Sequence, residues 1–336
     1  MTDGPRAPQQ RQPLCWVVTD GRAGMENQAL GLAEAVARLT PLDISVKRIK
    51  IRKPWRRTPR LFWPDPFSLL SREGHLLRPP YPDLWIACGR VTVALTIAVK
   101  RRNRPTFTIQ TQDPRAPARL FDLVVPPEHD RLNGENIFPI LGAPGRVTSE
   151  KIAAAAVALA PAFESLARPR VAALIGGPNK TYRMDDARIE WIGEALARIA
   201  GAGAGVIVAP SRRTGAARIA KLKAALSGAP VFFVEPGAEP GGRKDAYLGA
   251  LGLADHILVT ADSVNMACEA AATGKPVHVL PLDGRGGKFE RFHAALEACG
   301  AARPYSGRLE TWSYAPLDET ARAAGEILRR WRPPDV

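Results

Sequence analysis

The sequence has no apolar run of the roughly 18 to 20 residues that a membrane-spanning helix needs. Its first residues, MTDGPRAPQQRQP, lack the apolar stretch of a signal peptide, so the chain is expected in the cytoplasm. Cysteine is scarce: Cys15, Cys88, Cys268 and Cys299 lie far apart in apolar segments with no C-x-x-C pair, which suits buried free thiols better than a zinc site or disulfide frame. Acid is in deficit, with 33 Asp and Glu against 47 Lys and Arg and a net charge of +14. No G-x-G-x-x-G fingerprint, Walker A spacing or Asp-x-Asp pair occurs, which argues against a nicotinamide-dependent dehydrogenase or epimerase, a P-loop enzyme and a bound metal. No cofactor is expected.

The chain does have the makings of two cores. At 336 residues, 46% hydrophobic and 24% charged, its composition is globular and its length suits two domains. Abundant Ala, Arg, Gly and Pro match a GC-rich bacterial genome. Short apolar runs at 14–19, 84–89, 106–111 and 122–127, with a less regular one at 44–51, alternate with helical patterns at 26–39 and 91–102. A second series of runs follows at 171–177, 206–211, 231–236, 256–262 and 277–282. Strands alternating with helices predict two parallel α/β sheets covered on both faces. The predicted divisions are a tail at 1–13, a first lobe at 14–148, a linker helix at 149–168, a second lobe at 169–310 and a C-terminal segment at 311–336 whose helix spans 318–331.

The positive charge favours anionic partners. It is concentrated at 47–60, KRIKIRKPWRRTPR, which holds eight basic side chains and no acid, and Phe62, Trp63 and Phe67 follow. Residues 47–63 would suit an anionic membrane surface if those rings were exposed; a solvated loop with core aromatics fits equally well. No recognisable nucleic-acid reading module accompanies the charge.

In open parallel sheets, ligands bind at the carboxyl ends of strands, so the loops after the strands are the candidate sites. The first runs from Asp20 through Gly21, Arg22 and Gly24 to Glu26, Asn27 and Gln28, where glycines allow close backbone approach at a helix start; a plain tight turn is the alternative. The second, Gly176, Gly177, Pro178, Asn179, Lys180, combines backbone donors with a cation and suits a phosphate, against a structural turn. The third, Ser211, Arg212, Arg213, Thr214, could neutralise a diphosphate or be a solvated charge pair. The fourth enters a small-residue helix through Ser263 and Asn265, and its Glu269 could accept hydrogen bonds from a ribose diol.

The second-lobe pattern resembles the sugar-nucleotide site of GT-B glycosyltransferases, especially the lipid-linked N-acetylglucosaminyltransferase of peptidoglycan synthesis. AGMENQALGLAEAV, PDLWIACGRVTVALTIAV and RPTFTIQTQDPR resemble its first-lobe loops. A closer resemblance, over nearly residues 14 to 310, is to the mitochondrial fission (elongated-mitochondria) family and its bacterial relatives, through VVTDGRAGMENQALGLAEA, IQTQDPR, GGPNKTY and SVNMACEAAATGKPV.

That resemblance implies a GT-B-like fold of two Rossmann-like lobes facing a cleft. It implies nucleotide-sugar contacts from Gly176, Gly177, Asn179, Lys180, Ser211, Arg212, Ser263, Asn265 and Glu269. The acceptor side would use Gly21, Gly24, Asn27, Gln28, Gly89 and Gln112, and the acceptor, soluble or membrane-associated, is left open. The reaction would be a metal-independent glycosyl transfer. Where the glycosyltransferase loop carries a histidine this chain has Met25, leaving Asp20 or Glu26 as the substitute base. The alternative is a non-catalytic adaptor that keeps the fold and binds a protein partner or a membrane, as the plant member is linked to recruiting a dynamin-like division protein.

Overall fold

The computed structural model describes residues 11–53, 55, 58, 63–235, 244–284 and 286–333. The chain divides into two compact units, one comprising the residues up to Arg146 together with those from Glu319 onward, the other Val147–Asp318.

The first unit is built on β1 (Leu14–Thr19), α1 (Ala23–Ala37), β2 (Asp43–Arg48), β3 (Leu84–Cys88), α2 (Val93–Arg102), β4 (Phe107–Thr111) and β5 (Leu123–Val125). Its strands are parallel in the order β2-β1-β3-β4-β5. β1 and β3 read as unbroken apolar runs because both of their faces are covered. The order reverses direction between β1 and β3: the chain steps outward from β1 to β2, then crosses back to β3 on the other side.

The second unit contains α3 (Ser149–Leu159), β6 (Arg170–Ile175), α4 (Asp186–Gly201), β7 (Gly205–Pro210), α5 (Ala216–Ala225), β8 (Val231–Phe233) and α6 (Lys244–Leu253). It continues with β9 (His256–Thr260), α7 (Val264–Ala271), β10 (Val277–Leu280), α8 (Gly287–Ala298) and β11 (Ala302–Pro304). Its parallel order is β11-β10-β9-β6-β7-β8, and the reversal falls between β6 and β9. α4 starts where the Asp185 carboxylate accepts from the Arg188 backbone N–H at 2.9 Å. The core gathers Val171, Ala173, Ile175, Ile192, Leu196, Val206, Val208 and Leu258 from the sheet and α4.

The structure departs from the predicted elements in several places. The helix expected over 149–168 stops at Leu159, because Pro161 supplies no N–H and the chain tightens into a 3-10 turn at Ala160–Phe163. β8 ends at Phe233 rather than at 236, a residue outside the described set. β11 has no counterpart in the predicted strands. The last helix, α9 (Glu319–Arg330), belongs to the first unit: Ala323, Ala324, Ile327 and Trp331 pack with Ala29, Leu32, Ala33 and Val36 of α1. Glu319 also accepts from the Leu141 N–H at 2.7 Å, and the Thr320 hydroxyl from the Gly145 N–H at 3.0 Å.

Candidate functional site

In each unit the loops that the sequence singles out leave the carboxyl ends of the strands at or next to the reversal point, the position where open parallel sheets bind their ligands.

In the first unit these are the loops after β1 and β3. Gly21 (φ 79°) turns the chain after β1, and its N–H donates to the Thr19 hydroxyl at 3.1 Å. Gly24 lies in the first turn of α1. Gly89 (φ 97°) ends β3, and a Cβ there would lie 3.5 Å from Met25 Sδ. Gln112, at φ 67° just past β4, donates through Nε2 to Gln28 Oε1 at 2.7 Å, so these two predicted residues do meet. Asn27 is exposed.

The two candidate bases are already engaged. Asp20 holds the Arg22 guanidinium at 2.8 Å, and Glu26 takes the Arg48 guanidinium on both oxygens at 2.7 Å. Each carboxylate is thereby matched to a cation within hydrogen-bond reach, so neither is an unpaired acceptor in this structure.

In the second unit the loops after β6, β7 and β9 are stitched together around Asp262, whose side chain is fully buried. Its Oδ1 accepts from the Thr260 hydroxyl at 2.7 Å, and its Oδ2 accepts from the Gly177 N–H at 3.0 Å and from Arg213 at 2.6 Å. The Gly176 N–H donates to Thr260 Oγ1 at 2.8 Å. Both glycine N–H groups predicted to cradle a phosphate are therefore used inside the protein. The glycines are needed for space: a Cβ would fall 2.2 Å from Asp262 Oδ1 at Gly176, and 2.2 Å from the Arg213 carbonyl oxygen at Gly177.

Thr214 donates its hydroxyl to the carbonyls of Ile175 and Gly176, and the Ser211 N–H donates to Ile175 at 2.7 Å, closing the β7 loop onto the β6 loop. Asn179 shapes its own turn, with Oδ1 accepting from the N–H groups of Thr181 and Tyr182 at 2.7 and 2.8 Å. Lys180 and Arg212 are exposed and contact no polar partner among the described residues.

Ser263 is the N-cap of α7, accepting from the Met266 N–H at 3.4 Å, and Asn265 lies half-buried in the first turn. Glu269 lies farther along the same helix and accepts a hydrogen bond from the Tyr247 hydroxyl of α6. The residue keeps some exposed surface, but its carboxyl is enclosed, and burial pushes it up to about 7 against the opposing effect of the Tyr247 hydrogen bond.

Tyr247 was not singled out from sequence; Arg213 was named only as one of a pair with Arg212, and Thr260 and Asp262 lay within the fourth loop without a role of their own. A lone acid directly after an apolar strand could have drawn attention to Asp262. Nothing in the pair Arg212-Arg213 distinguishes the anchored arginine from the free one.

The aromatic half of the membrane-surface expectation for 47–63 needs correction. Trp63 is buried, donating through Nε1 to Thr58 at 2.9 Å, because it completes the core layer of Trp16, Ile49, Leu69 and Trp85. Phe67 is half-buried between Tyr81 and the Arg102 guanidinium. Of the cations, Lys47 lies over the Trp16 ring at 4.8 Å, Arg48 pairs with Glu26 and Lys50 with Glu73. Arg56, Arg57, Arg60 and Phe62 lie outside the described residues. No helix among the described residues is long and apolar enough to cross a membrane.

The fold recurs in solved structures. UDP-GlcNAc 2-epimerase from Neisseria meningitidis, bound to UDP-GlcNAc, matches over 95% of this chain and 91% of that one, with 13% identity and a TM-score of 0.52. Escherichia coli ADP-heptose LPS heptosyltransferase II matches over 94% and 98%, with 14% identity and a TM-score of 0.50. At such identities the likeness is one of fold, that of the GT-B proteins.

Sequence relatives are more specific. The mitochondrial fission protein ELM1 of Arabidopsis thaliana is 30% identical over 275 residues, covering 74% of this chain and 64% of that protein, so this chain spans just under two thirds of its plant relative. An uncharacterized protein of Rickettsia prowazekii (strain Madrid E) is 24% identical over 355 residues, covering 94% of this chain and 97% of that one. The model of the mitochondrial fission ELM1 family matches residues 23–331, and the chain belongs to that family.

Proposed function

We propose that the protein binds a nucleotide sugar at the carboxyl ends of β6, β7 and β9 and transfers the glycosyl group to an acceptor handled by the first unit. The observation that carries this reading is the position of the Asp262 cluster. It joins the loops on both sides of the reversal between β6 and β9, the place where open α/β sheets take their ligands. Solved proteins of the same fold include one bound to UDP-GlcNAc and one named for ADP-heptose, which agrees with a nucleotide-sugar ligand.

In this reading Ser263 and Asn265 present the first turn of α7 to the ligand, Glu269 takes the ribose hydroxyls, and Lys180 and Ser211 border the phosphates. The Gly176 and Gly177 N–H groups act indirectly, by fixing Thr260 and Asp262. Gln28 and Gln112, joined beside Gly89, are the candidate acceptor contacts in the first unit, with Gly21, Gly24 and Asn27 shaping the same loop.

A second reading, a non-catalytic adaptor, is favoured by one observation: Asp20 and Glu26 are both paired with arginines, which leaves no unpaired carboxylate among the two candidate bases. Calorimetric titration with UDP, GDP, ADP, CMP and their sugars separates the two. Saturable binding that is lost in Glu269→Ala and weakened in Lys180→Ala supports the donor site. A folded protein that binds none of these ligands sinks it and leaves the adaptor.

A further inference from the structure

An arginine that is to meet a diphosphate gains most if it is already held in place, because the ordering of a long flexible side chain then no longer opposes binding. Three cations border the ends of β6 and β7: Lys180, Arg212 and Arg213. Lys180 and Arg212 are exposed without a polar contact among the described residues. Arg213 is anchored twice. One terminal nitrogen donates to the Gly177 carbonyl at 3.0 Å and the other to Asp262 at 2.6 Å.

The anchor is itself fixed. The Asp262 side chain is 0% exposed, and it is held by Thr260 and by the Gly177 N–H. The Arg213 side chain is nonetheless 44% exposed. A guanidinium has five N–H donors in one plane, and the two anchoring bonds use two of them. The remaining donors are therefore held on a fixed fork that reaches the surface. The Gly176 and Gly177 N–H groups are occupied and cannot meet the charge of a ligand here, and Arg213 is the pre-oriented cation among the side chains of these loops.

We infer that Arg213, positioned by the buried carboxylate of Asp262, is the residue that binds the diphosphate of the nucleotide, and that Arg212 is dispensable for this. The inference rests on the nucleotide-sugar reading and assigns its phosphate contact. Asp262 is a positioning residue: it orients the guanidinium without touching the ligand.

Inorganic pyrophosphate is the base-independent probe, titrated by calorimetry at matched ionic strength into the full chain, with UDP, GDP and ADP in parallel. The expected result is saturable binding by the wild type, a loss of roughly tenfold or more in Arg213→Ala, partial recovery in Arg213→Lys, and near wild-type affinity in Arg212→Ala. Because Arg213→Ala strands the Asp262 charge, the double variant Arg213→Ala/Asp262→Asn is measured beside it and is expected to bind equally weakly while melting closer to wild type. Asp262→Asn alone, with Arg213 present but less firmly held, should fall between wild type and Arg213→Ala in pyrophosphate affinity.

If the wild type binds pyrophosphate or a nucleotide and Arg213→Ala binds it as well, or Arg212→Ala loses as much, the assignment is overturned while the nucleotide reading stands. If the wild type binds neither pyrophosphate nor any nucleoside diphosphate, the nucleotide reading falls and the assignment with it.

Discussion

Gly176 leaves no room for a side chain beside Asp262: a Cβ on the glycine would fall 2.2 Å from Oδ1 of the buried carboxylate. Gly176→Ala must therefore push apart the β6 and β9 loops, and it is expected to destabilise the protein by about 2 to 3 kcal/mol in urea denaturation, the scale of overpacking in a filled interior. Gly201→Ala, in the last turn of α4 with no atom within 4 Å of the added carbon, is the control and should be neutral or slightly stabilising. Equal effects of the two substitutions would refute the close-approach account.

Glu269 has its pKa raised from 4.5 to about 7 by burial. The folded state therefore holds more protons than the unfolded chain between those values, and stability declines as pH rises through that window. At pH 8 the ionised carboxylate costs the fold on the order of 3 kcal/mol, since a tenfold change in proton affinity is worth about 1.4 kcal/mol. Glu269→Gln should raise the melting temperature at pH 8 and leave it little changed at pH 4.5. A variant that melts at or below wild type at pH 8 would show that the ionised carboxylate is stabilised by its surroundings.

His278 shows the opposite dependence. Its ring is buried against Tyr305 and Trp312, Nε2 has no hydrogen-bond partner, and burial together with neighbouring His256 depresses its pKa from 6.5 to about 4. The unfolded chain then binds more protons between pH 6.5 and 4, so stability falls as the solution is acidified across that range. His278→Phe keeps an aromatic ring and removes the titration. Its melting temperature should drop less steeply than that of wild type between pH 6.5 and 4.5, and parallel slopes would exclude His278 as a source of acid sensitivity.

Thr96 accepts the Trp85 indole N–H at 3.0 Å inside the first unit and donates its own hydroxyl to the Thr92 carbonyl. Thr96→Val keeps the shape but strands the indole donor where water does not reach. A loss of about 1 to 3 kcal/mol is expected in denaturant titration, and a change near zero would mean that the indole finds another acceptor.

What could be read from the sequence follows from how much a residue's surroundings dictate its type. β1, β3, β7 and β9 are mostly apolar because both faces of each are covered, and their positions were legible to within a residue or two. β11 was not, since only Ala302 of its three residues is buried while Arg303 and Pro304 are exposed. The amphipathic pattern of α9 predicts a helix but says nothing about which core it covers; its partner, α1, lies near the opposite end of the chain.

At the candidate site, the loops were legible from their glycines and their places after strands, whereas the side-chain pairings were not. An aspartate among small residues and one arginine of two carry no mark of burial. Only packing brings Asp262 and Arg213 within 2.6 Å. Trp63 taught the same lesson in reverse, because a tryptophan beside a basic run reads as an exposed ring until the layer of Trp16 and Trp85 beneath it is seen.

The placement of α9 has a consequence for biosynthesis. The second unit is one continuous stretch, Val147–Asp318, whereas the first needs Ala323, Ala324 and Ile327 to close over α1. At ribosomal speeds of about 5 to 20 residues per second, the intervening stretch takes on the order of ten seconds or more to make. During that interval the nascent first unit carries an uncovered apolar helix face. The unit whose residues emerge first is thus the last to be complete, and its open flank is where a ribosome-associated chaperone would have reason to bind.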